Sequence, residues 1–181
     1  MNKIHRLWAL VITISILALG AVVANSNSPS SAEGGCAGKA YVTNSGGNTV
    51  SVITTATNTV SATVGVGNGP YAVAITPDGT KAYVTNAGSD TVSVIATATN
   101  TVSATVAVGN GPDAVAITPD GTKAYVANVF DDTVSVITTA TNTVSATVAV
   151  GDGPDGVAIC PAASTTPAAS TTPAVVLKFT G

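Results

Sequence analysis

Enzymatic chemistry needs a base, a nucleophile or a set of metal-binding atoms, and this 181-residue sequence holds few of them. Its one histidine, His5, lies just ahead of the apolar run from Leu7 to Val23, so the rest of the chain lacks the commonest general base and metal ligand. Serine and threonine are abundant, yet none has a candidate base at a fixed spacing, and alternation along strands accounts for them as solvent-facing positions. The acids fall mainly in turns. Asp78 and Asp120 belong to Pro-Asp-Gly turns, where Asp bonds its own backbone and Gly takes a positive φ. Asp90, Asp131 and Asp132 lie in a turn that differs along the chain. A calcium ion takes about six to eight oxygens, and one or two carboxylates per loop do not complete that shell. The expectation is therefore no catalytic residue, no metal and no cofactor, with the two cysteines, Cys36 and Cys160, in a structural role.

The elements that carry these residues follow from composition. Only 8% of residues are charged, against about 25% in ordinary globular chains, and Thr, Val, Ala, Ser, Gly and Asn take their place. β-Branched residues fit a pleated surface and Gly and Asn fit its turns, so the expected class is all-β.

The first 24 residues stand apart. Lys3, His5 and Arg6 precede the apolar run, and Ala21-Val22-Val23-Ala24 closes it with small residues, the pattern of a secretory signal cleaved near Ala24. An uncleaved membrane anchor is the alternative, since the run approaches the ~20 residues that a span requires. Either way the remainder is expected to be extracellular or at the cell surface. Cleavage removes Lys3 and Arg6 and takes the net charge from −3 to near −5, with no arginine and with lysines scattered at 39, 81, 123 and 178. Polyanion binding rests on clustered Lys and Arg, so nucleic acid is excluded as a partner.

Self-comparison gives a period of 42: Tyr41, Tyr83 and Tyr125 align, as do Asn44, Asn86 and Asn128, and Pro70, Pro112 and Pro154. That spacing is the size of one propeller blade, and the 3.6-residue periodicity of helical repeats is missing. In the second copy four strands are expected, at residues 70–76, 81–85, 91–95 and 101–108, with "PDGT" at 77–80 as a turn and a variable stretch at 86–90. Such strands make four-stranded antiparallel blades.

The motif Tyr41-Val42-Thr43-Asn44 returns as Tyr83-Val84-Thr85-Asn86 and drifts to Tyr125-Val126-Ala127-Asn128, accompanied by "NTVSVI", "TATNTV", "VGNGP" and "ITPDG". Over residues 39–159 the chain resembles the YVTN family of β-propeller repeats, found in secreted and surface-layer proteins of archaea and bacteria. It departs from that pattern in two ways. Thr54, Ala96 and Thr138 stand where the family usually has Asp, and three repeats replace the about seven of complete members, which fall within the range of closed propellers.

In propellers the "PYAVAIT"-type strand is innermost. On that convention residues 39–67 supply three outer strands, 70–108 and 112–150 supply two whole blades, and 154–160 is a lone inner strand, an incomplete ring per chain. Cys160 replaces Thr76 and Thr118 at the end of the inner strand, and Cys36 aligns with Asp78 and Asp120 in the following turn. Positions two residues apart are compatible with a disulfide, and export makes one chemically reasonable. A head-to-tail homodimer with six blades would close every sheet; an open three-blade arc and a truncated gene product are the alternatives.

The domain layout expected is thus a signal at 1–24, a disordered segment with Cys36 at 25–38, the repeats at 39–160, a Thr/Pro-rich linker at 161–174 and a strand-like tail, "VVLKFTG", at 175–181. Differences between copies individualise a binding face. They single out Tyr71 against Asp113 and Asp155, and Val129, Phe130, Asp131 and Asp132 against Ala87-Gly88-Ser89-Asp90, as partner contacts, with local packing the simpler explanation. The expected function is an exported, non-catalytic surface scaffold for proteins or glycans, reaching a membrane only through an uncleaved signal. The resemblance carries one competing class, a propeller enzyme of lactonase-like or haem-bearing redox type.

Overall fold

The computed structural model describes residues 36–161, and these form eleven strands and a single 3-10 turn, Ser45–Gly47. The 42-residue period reappears in every element. β1 (Lys39–Asn44), β2 (Thr49–Thr54) and β3 (Thr59–Gly65) make a three-stranded sheet. β4 (Pro70–Ile75), β5 (Lys81–Asn86), β6 (Thr91–Ala96) and β7 (Thr101–Ala107) make a second sheet, with β4 at one edge. β8 (Pro112–Ile117), β9 (Lys123–Asn128), β10 (Thr133–Thr138) and β11 (Thr143–Ala149) make the third, a copy of the second. All neighbours are antiparallel. The three sheets are propeller-type blades that do not close into a ring: β1 lies beside β4 and β4 beside β8, whereas the outer strands β3, β7 and β11 barely meet.

Local sequence explains each turn. The β1–β2, β5–β6 and β9–β10 turns end on Asn48, Asp90 and Asp132, each at φ 54°, the left-handed conformation that Asn and Asp tolerate best. Between Val94 and Ile95 the β6–β7 register shifts at a bulge, and the extra residue, Ser103, donates its hydroxyl to the Val94 carbonyl at 3.0 Å. Bulges raise local twist, and identical ones recur in all three sheets.

The core is divided between the two seams. Tyr41, Val50, Val52 and Val64 of the first blade face Ala82, Val84 and Ile95 of the second. Tyr83, Val92, Val94 and Val106 face Ala124, Val126 and Ile137 in the same way. Polar ties repeat with them: Lys39 Nζ donates to the Thr97 carbonyl at 3.3 Å and Lys81 Nζ to that of Thr139 at 2.6 Å. Tyr41 and Tyr83 hydroxyls donate to Asn100 Oδ1 at 3.2 Å and Asn142 Oδ1 at 2.8 Å. Burying one Val or Ile contributes roughly 1.5–3 kcal/mol, against about 0.5–1.5 kcal/mol net for a neutral hydrogen bond. The apolar faces therefore supply most of the seam's stability and the polar ties fix its register.

Three expectations change. Residues 154–160 follow the course of an inner strand but form no strand, because a strand is defined by its ladder and no described strand pairs with them. Cys36–Gly38, expected as part of a disordered segment, make a turn in which the Lys39 N–H donates to the Cys36 carbonyl at 2.9 Å. Asn86 also joins β5 rather than the variable turn, since it pairs with both Thr91 and Pro70. The signal, the rest of the 25–38 segment, the linker beyond Pro161 and the tail lie outside the described residues.

Asn86 shows why the last residue of the repeated motif has the type it has. It is fully buried, and its Nδ2 donates to Thr91 Oγ1 at 3.1 Å and Ser93 Oγ at 3.0 Å. Gly67 of the preceding turn presses against it: a Cβ there would stand 2.7 Å from Asn86 Cγ and 2.6 Å from Ser89 Oγ. Gly67→Ala should therefore cost about 1–3 kcal/mol through overpacking, read as a lower denaturation midpoint. An unchanged midpoint would show that the seam has slack there.

Candidate interaction face

Antiparallel strands divide the turns between two ends of the blades. One end gathers the β1–β2, β5–β6 and β9–β10 turns with the blade-to-blade crossings at 66–69, 108–111 and 150–153. The other gathers the "TATN" turns at 55–58, 97–100 and 139–142 with the Pro-Asp-Gly turns. At the second end the "TATN" turns and the two Pro-Asp-Gly turns repeat without change, although Cys36-Ala37-Gly38 stand in the first copy where Asp78-Gly79-Thr80 stand in the second; the other turn positions that differ lie at the first end.

At that variable end, side chains tie turn to crossing. Asn48 Oδ1 accepts from Gly69 N–H, Asp90 Oδ1 from Gly111 N–H and Asp132 Oδ1 from Gly153 N–H, each at 2.9 Å. Asp131 Oδ2 accepts from Asn110 N–H at 2.7 Å, where the second copy uses Ser89 Oγ for Asn68 N–H at 3.2 Å. Asp131 and Asp132 thus each hold one backbone N–H of a crossing while remaining exposed. Val129 is half-buried, and its N–H donates to the Gly111 carbonyl at 3.0 Å. Phe130 differs from these: its ring lies over Gly111, close enough that a Cβ there would come 2.5 Å from Cδ2, while 73% of the residue stays exposed. Tyr71 is 62% exposed, with its carbonyl held by Thr43 Oγ1 at 2.8 Å. The two aromatics occupy the same end but different seams, Tyr71 between the first and second blades and Phe130 between the second and third. An open cleft of about 460 Å³ beside Phe130's turn has Asp131, Thr133 and Ser135 on its polar side and Val108 and Val144 on its apolar side.

The opposite end holds threonine–aspartate pairs. Thr76 Oγ1 donates to Asp78 Oδ1 at 2.6 Å and Thr118 Oγ1 to Asp120 Oδ1 at 2.5 Å. These bonds, with the following Thr80 and Thr122 N–H groups, hold both carboxyls below the usual range. A carboxylate held low is a poor proton acceptor, so the pairs read as turn locks rather than as activated hydroxyls. Among the described residues no group of three His, Cys, Asp or Glu could hold a metal ion. Cys36, half-buried, packs against the first seam, and Cys160 is exposed beside Thr118, Pro119 and Asp120; both thiols are free and are not brought together within the chain.

Asp113 is a feature that the sequence marks only as variable. It occupies the Tyr71 position one blade on, where burial and then the neighbouring Asp155 raise its pKa. The signal was present in the spacing of 42 between the two acids, but their proximity depends on adjacent inner strands lying side by side.

A family model described as YNCE-like beta-propeller matches residues 3–123. The chain is similar to a Kuenenia stuttgartiensis hydrazine synthase structure, with 31% identity and a TM-score of 0.64, covering 67% of this chain and 36% of that one. It is similar in fold to a putative 6-phosphogluconolactonase from Bacteroides fragilis, with 24% identity, a TM-score of 0.58 and coverage of 65% and 37%. A 40-residue stretch is 58% identical to the PE-PGRS family protein PE_PGRS18 of Mycobacterium tuberculosis, covering 22% of this chain and 9% of that one. The chain thus spans little more than a third of the two structures and a smaller part of the mycobacterial protein.

A raised carboxyl pKa means that the folded chain binds the proton more tightly than the unfolded one, so ionisation of Asp113 at neutral pH lowers stability. Asp113→Asn should raise the thermal midpoint at pH 7, and the gain should vanish by about pH 3, where the carboxyl is protonated in both states. A midpoint that falls at pH 7 would mean that the carboxylate is needed where it stands.

Proposed function

The chain belongs to the YNCE-like β-propeller family, and on that premise we propose that it is an exported, non-catalytic module serving as a protein- or glycan-binding scaffold at the cell surface. One observation carries this reading: within the two complete blades turn variation falls at one end, and there the substitutions place Tyr71 and Phe130 in solvent while the acids beside Phe130 hold backbone N–H groups of the crossings. A repeat protein acquires specificity by varying side chains that its own packing does not need. Aromatic side chains suit such a role, offering large rigid contact area to a protein or a flat face to a sugar ring.

The path of the chain supports the same orientation. Cys36 and Cys160 both lie at the end opposite Tyr71 and Phe130, so a structural role for the thiols leaves the variable end free. The described repeats, acidic and without arginine, argue against nucleic acid as the ligand.

The enzymatic reading is carried by the names of the hydrazine synthase and putative lactonase neighbours. The chain's only histidine is His5, ahead of the repeats, and the Thr–Asp pairs are held in turns, so the repeats offer no positioned base for either chemistry.

Co-sedimentation with purified cell envelopes from the source organism tests the proposal. The wild-type chain should be retained, and a Tyr71→Asp, Phe130→Ser double variant should lose at least about ten-fold in retention, whereas Thr99→Ala at the invariant end should not. Equal retention of all three would remove the variable end as the binding face. Turnover of a sugar lactone that survives purification would favour the enzyme.

A further inference from the structure

The two ends of the blade array are unlike each other, and each lacks what the other exposes. Residues 154–160 already occupy the place of a fourth inner strand. Gly153 takes φ 61°, as Gly69 and Gly111 take 59° and 63°, and its N–H is held by Asp132 as theirs are held by Asn48 and Asp90. Asp155 lies near Asp113, and Ile159, Cys160 and Pro161 share an open pocket of about 500 Å³ with Thr118, Pro119 and Asp120 of the third blade. Pro154, Val157 and Ile159 are half-buried and their neighbours exposed. A strand seated in this way, with an unpaired ladder edge, needs a three-stranded sheet beside it. Among the described residues the one three-stranded sheet, β1-β2-β3, is the one that lacks an inner strand.

The exposed faces match as well. Val148 is 46% exposed where its counterparts Val64 and Val106 are 5% exposed. Val42 on the far side of the first blade is 44% exposed where Val84 and Val126 are fully buried. Tyr125 and Val134 in the third blade and Ala40 and Ile53 in the first are likewise half-buried where their counterparts are buried. Lys39 and Lys81 donate across a seam to Thr97 and Thr139, while among the described residues Lys123 meets no such acceptor and the Thr55 carbonyl no such donor. Tyr41 and Tyr83 donate to Asn100 and Asn142; among the described residues Tyr125 and Asn58 have no such partner. Gly67 and Gly109 press on Asn86 and Asn128, whereas a Cβ on Gly151 would meet nothing within 4 Å.

We infer that two copies of this chain join head to tail, each copy's residues 154–160 completing the first blade of the other, with Cys160 of each joined to Cys36 of the other by a disulfide. Three blades are too few for a ring, six fall within the roughly four to eight of closed propellers, and nine exceed it, so two copies close the assembly. The repeat fixes the register. Pro70 pairs with Asn86, Val73 with Val84, Ala74 with Tyr83 and Ile75 with Ala82. At the new seam Pro154 therefore meets Asn44 of the second copy, Val157 meets Val42, Ala158 meets Tyr41 and Ile159 meets Ala40. Lys123 and Tyr125 reach Thr55 and Asn58 of the second copy, and Gly151 packs on its Asn44.

The same register sets the cysteines. Cys160 stands where Thr76 and Thr118 stand, and Cys36 of the second copy where Asp78 and Asp120 stand, and in both intact blades those two side chains touch. The sulfurs are thus delivered to each other at the invariant end. Each bond forms when two thiols give up two protons and two electrons to a disulfide oxidant such as glutathione disulfide, which leaves as two thiols. The inference does not depend on what the Tyr71 and Phe130 end binds, since the seam is built from different residues and is read by assembly rather than by ligand retention.

The full chain, oxidised with glutathione disulfide, is examined by analytical ultracentrifugation and nonreducing electrophoresis. The expected species has twice the mass of the chain, is covalent without reductant and carries no free thiol. Cys36→Ser and Cys160→Ser chains should each remain noncovalent dimers alone, and mixing the two should give a covalent heterodimer through the one remaining Cys36–Cys160 pair. Gly151→Ala, harmless within one chain, should weaken the reduced dimer at least ten-fold with an unchanged circular dichroism spectrum. A monomer at tens of micromolar, a disulfide within one chain, a covalent dimer of either single cysteine variant, a larger oligomer, or a Gly151→Ala dimer of wild-type affinity would each overturn the inference.

Discussion

Every blade of this protein is one sheet thick, so both of its faces must be covered by its neighbours. That constraint governs the rest. A two-layer domain buries one face of each sheet and leaves the other to water, but here the second blade buries Tyr83, Val92 and Val94 on one side and Ala82, Val84 and Ile95 on the other. The seam between blades, rather than the blade, is the cooperative unit, and its parts recur together: an apolar face, a lysine and a tyrosine reaching the far turn, a threonine gripping the next inner strand, and a glycine seated on an asparagine. The few charged residues fit this economy, because a sheet with two buried faces has little surface on which to place them.

Much of the architecture is legible in the amino-acid sequence because each strand is bounded by turn chemistry that leaves few alternatives. The Pro-Asp-Gly turn, the Gly-Asn-Gly-Pro crossing and the left-handed Asn or Asp closing each variable turn fall at fixed places in the 42-residue period, and the strands between them begin and end within a residue or two of where alternation puts them. What the sequence conceals is which residues answer each other across a seam, since these lie 58 or 59 positions apart and obey no local rule. Asp131 and Asp132 illustrate this. As a local pattern they resemble an acidic binding loop; in space they are backbone acceptors that fasten one blade to the next. Phe130, the apolar residue beside them, is left to solvent.

The functional conclusion follows from the same division. The apolar faces and the lysine, tyrosine, asparagine and glycine of each seam recur from copy to copy, whereas the turn residues that vary within the complete blades do so at one end. A module of this kind offers a graded set of loops on a rigid frame, an arrangement suited to recognition, while the hydroxyls and carboxylates that resemble catalytic groups are engaged in holding turns. The family gives the frame, and the described blades leave one face of the first and one of the third without a neighbour.

The central claim is that no sheet in the native protein is left with an uncovered face or an unpaired inner edge. Hydrogen exchange measured on the native full chain addresses it most directly. If the account holds, backbone amides of residues 154–160 and of β1 exchange as slowly as those of β4 and β5. Exchange of residues 154–160 at the rate of an unstructured peptide, beside a protected β4, would contradict it.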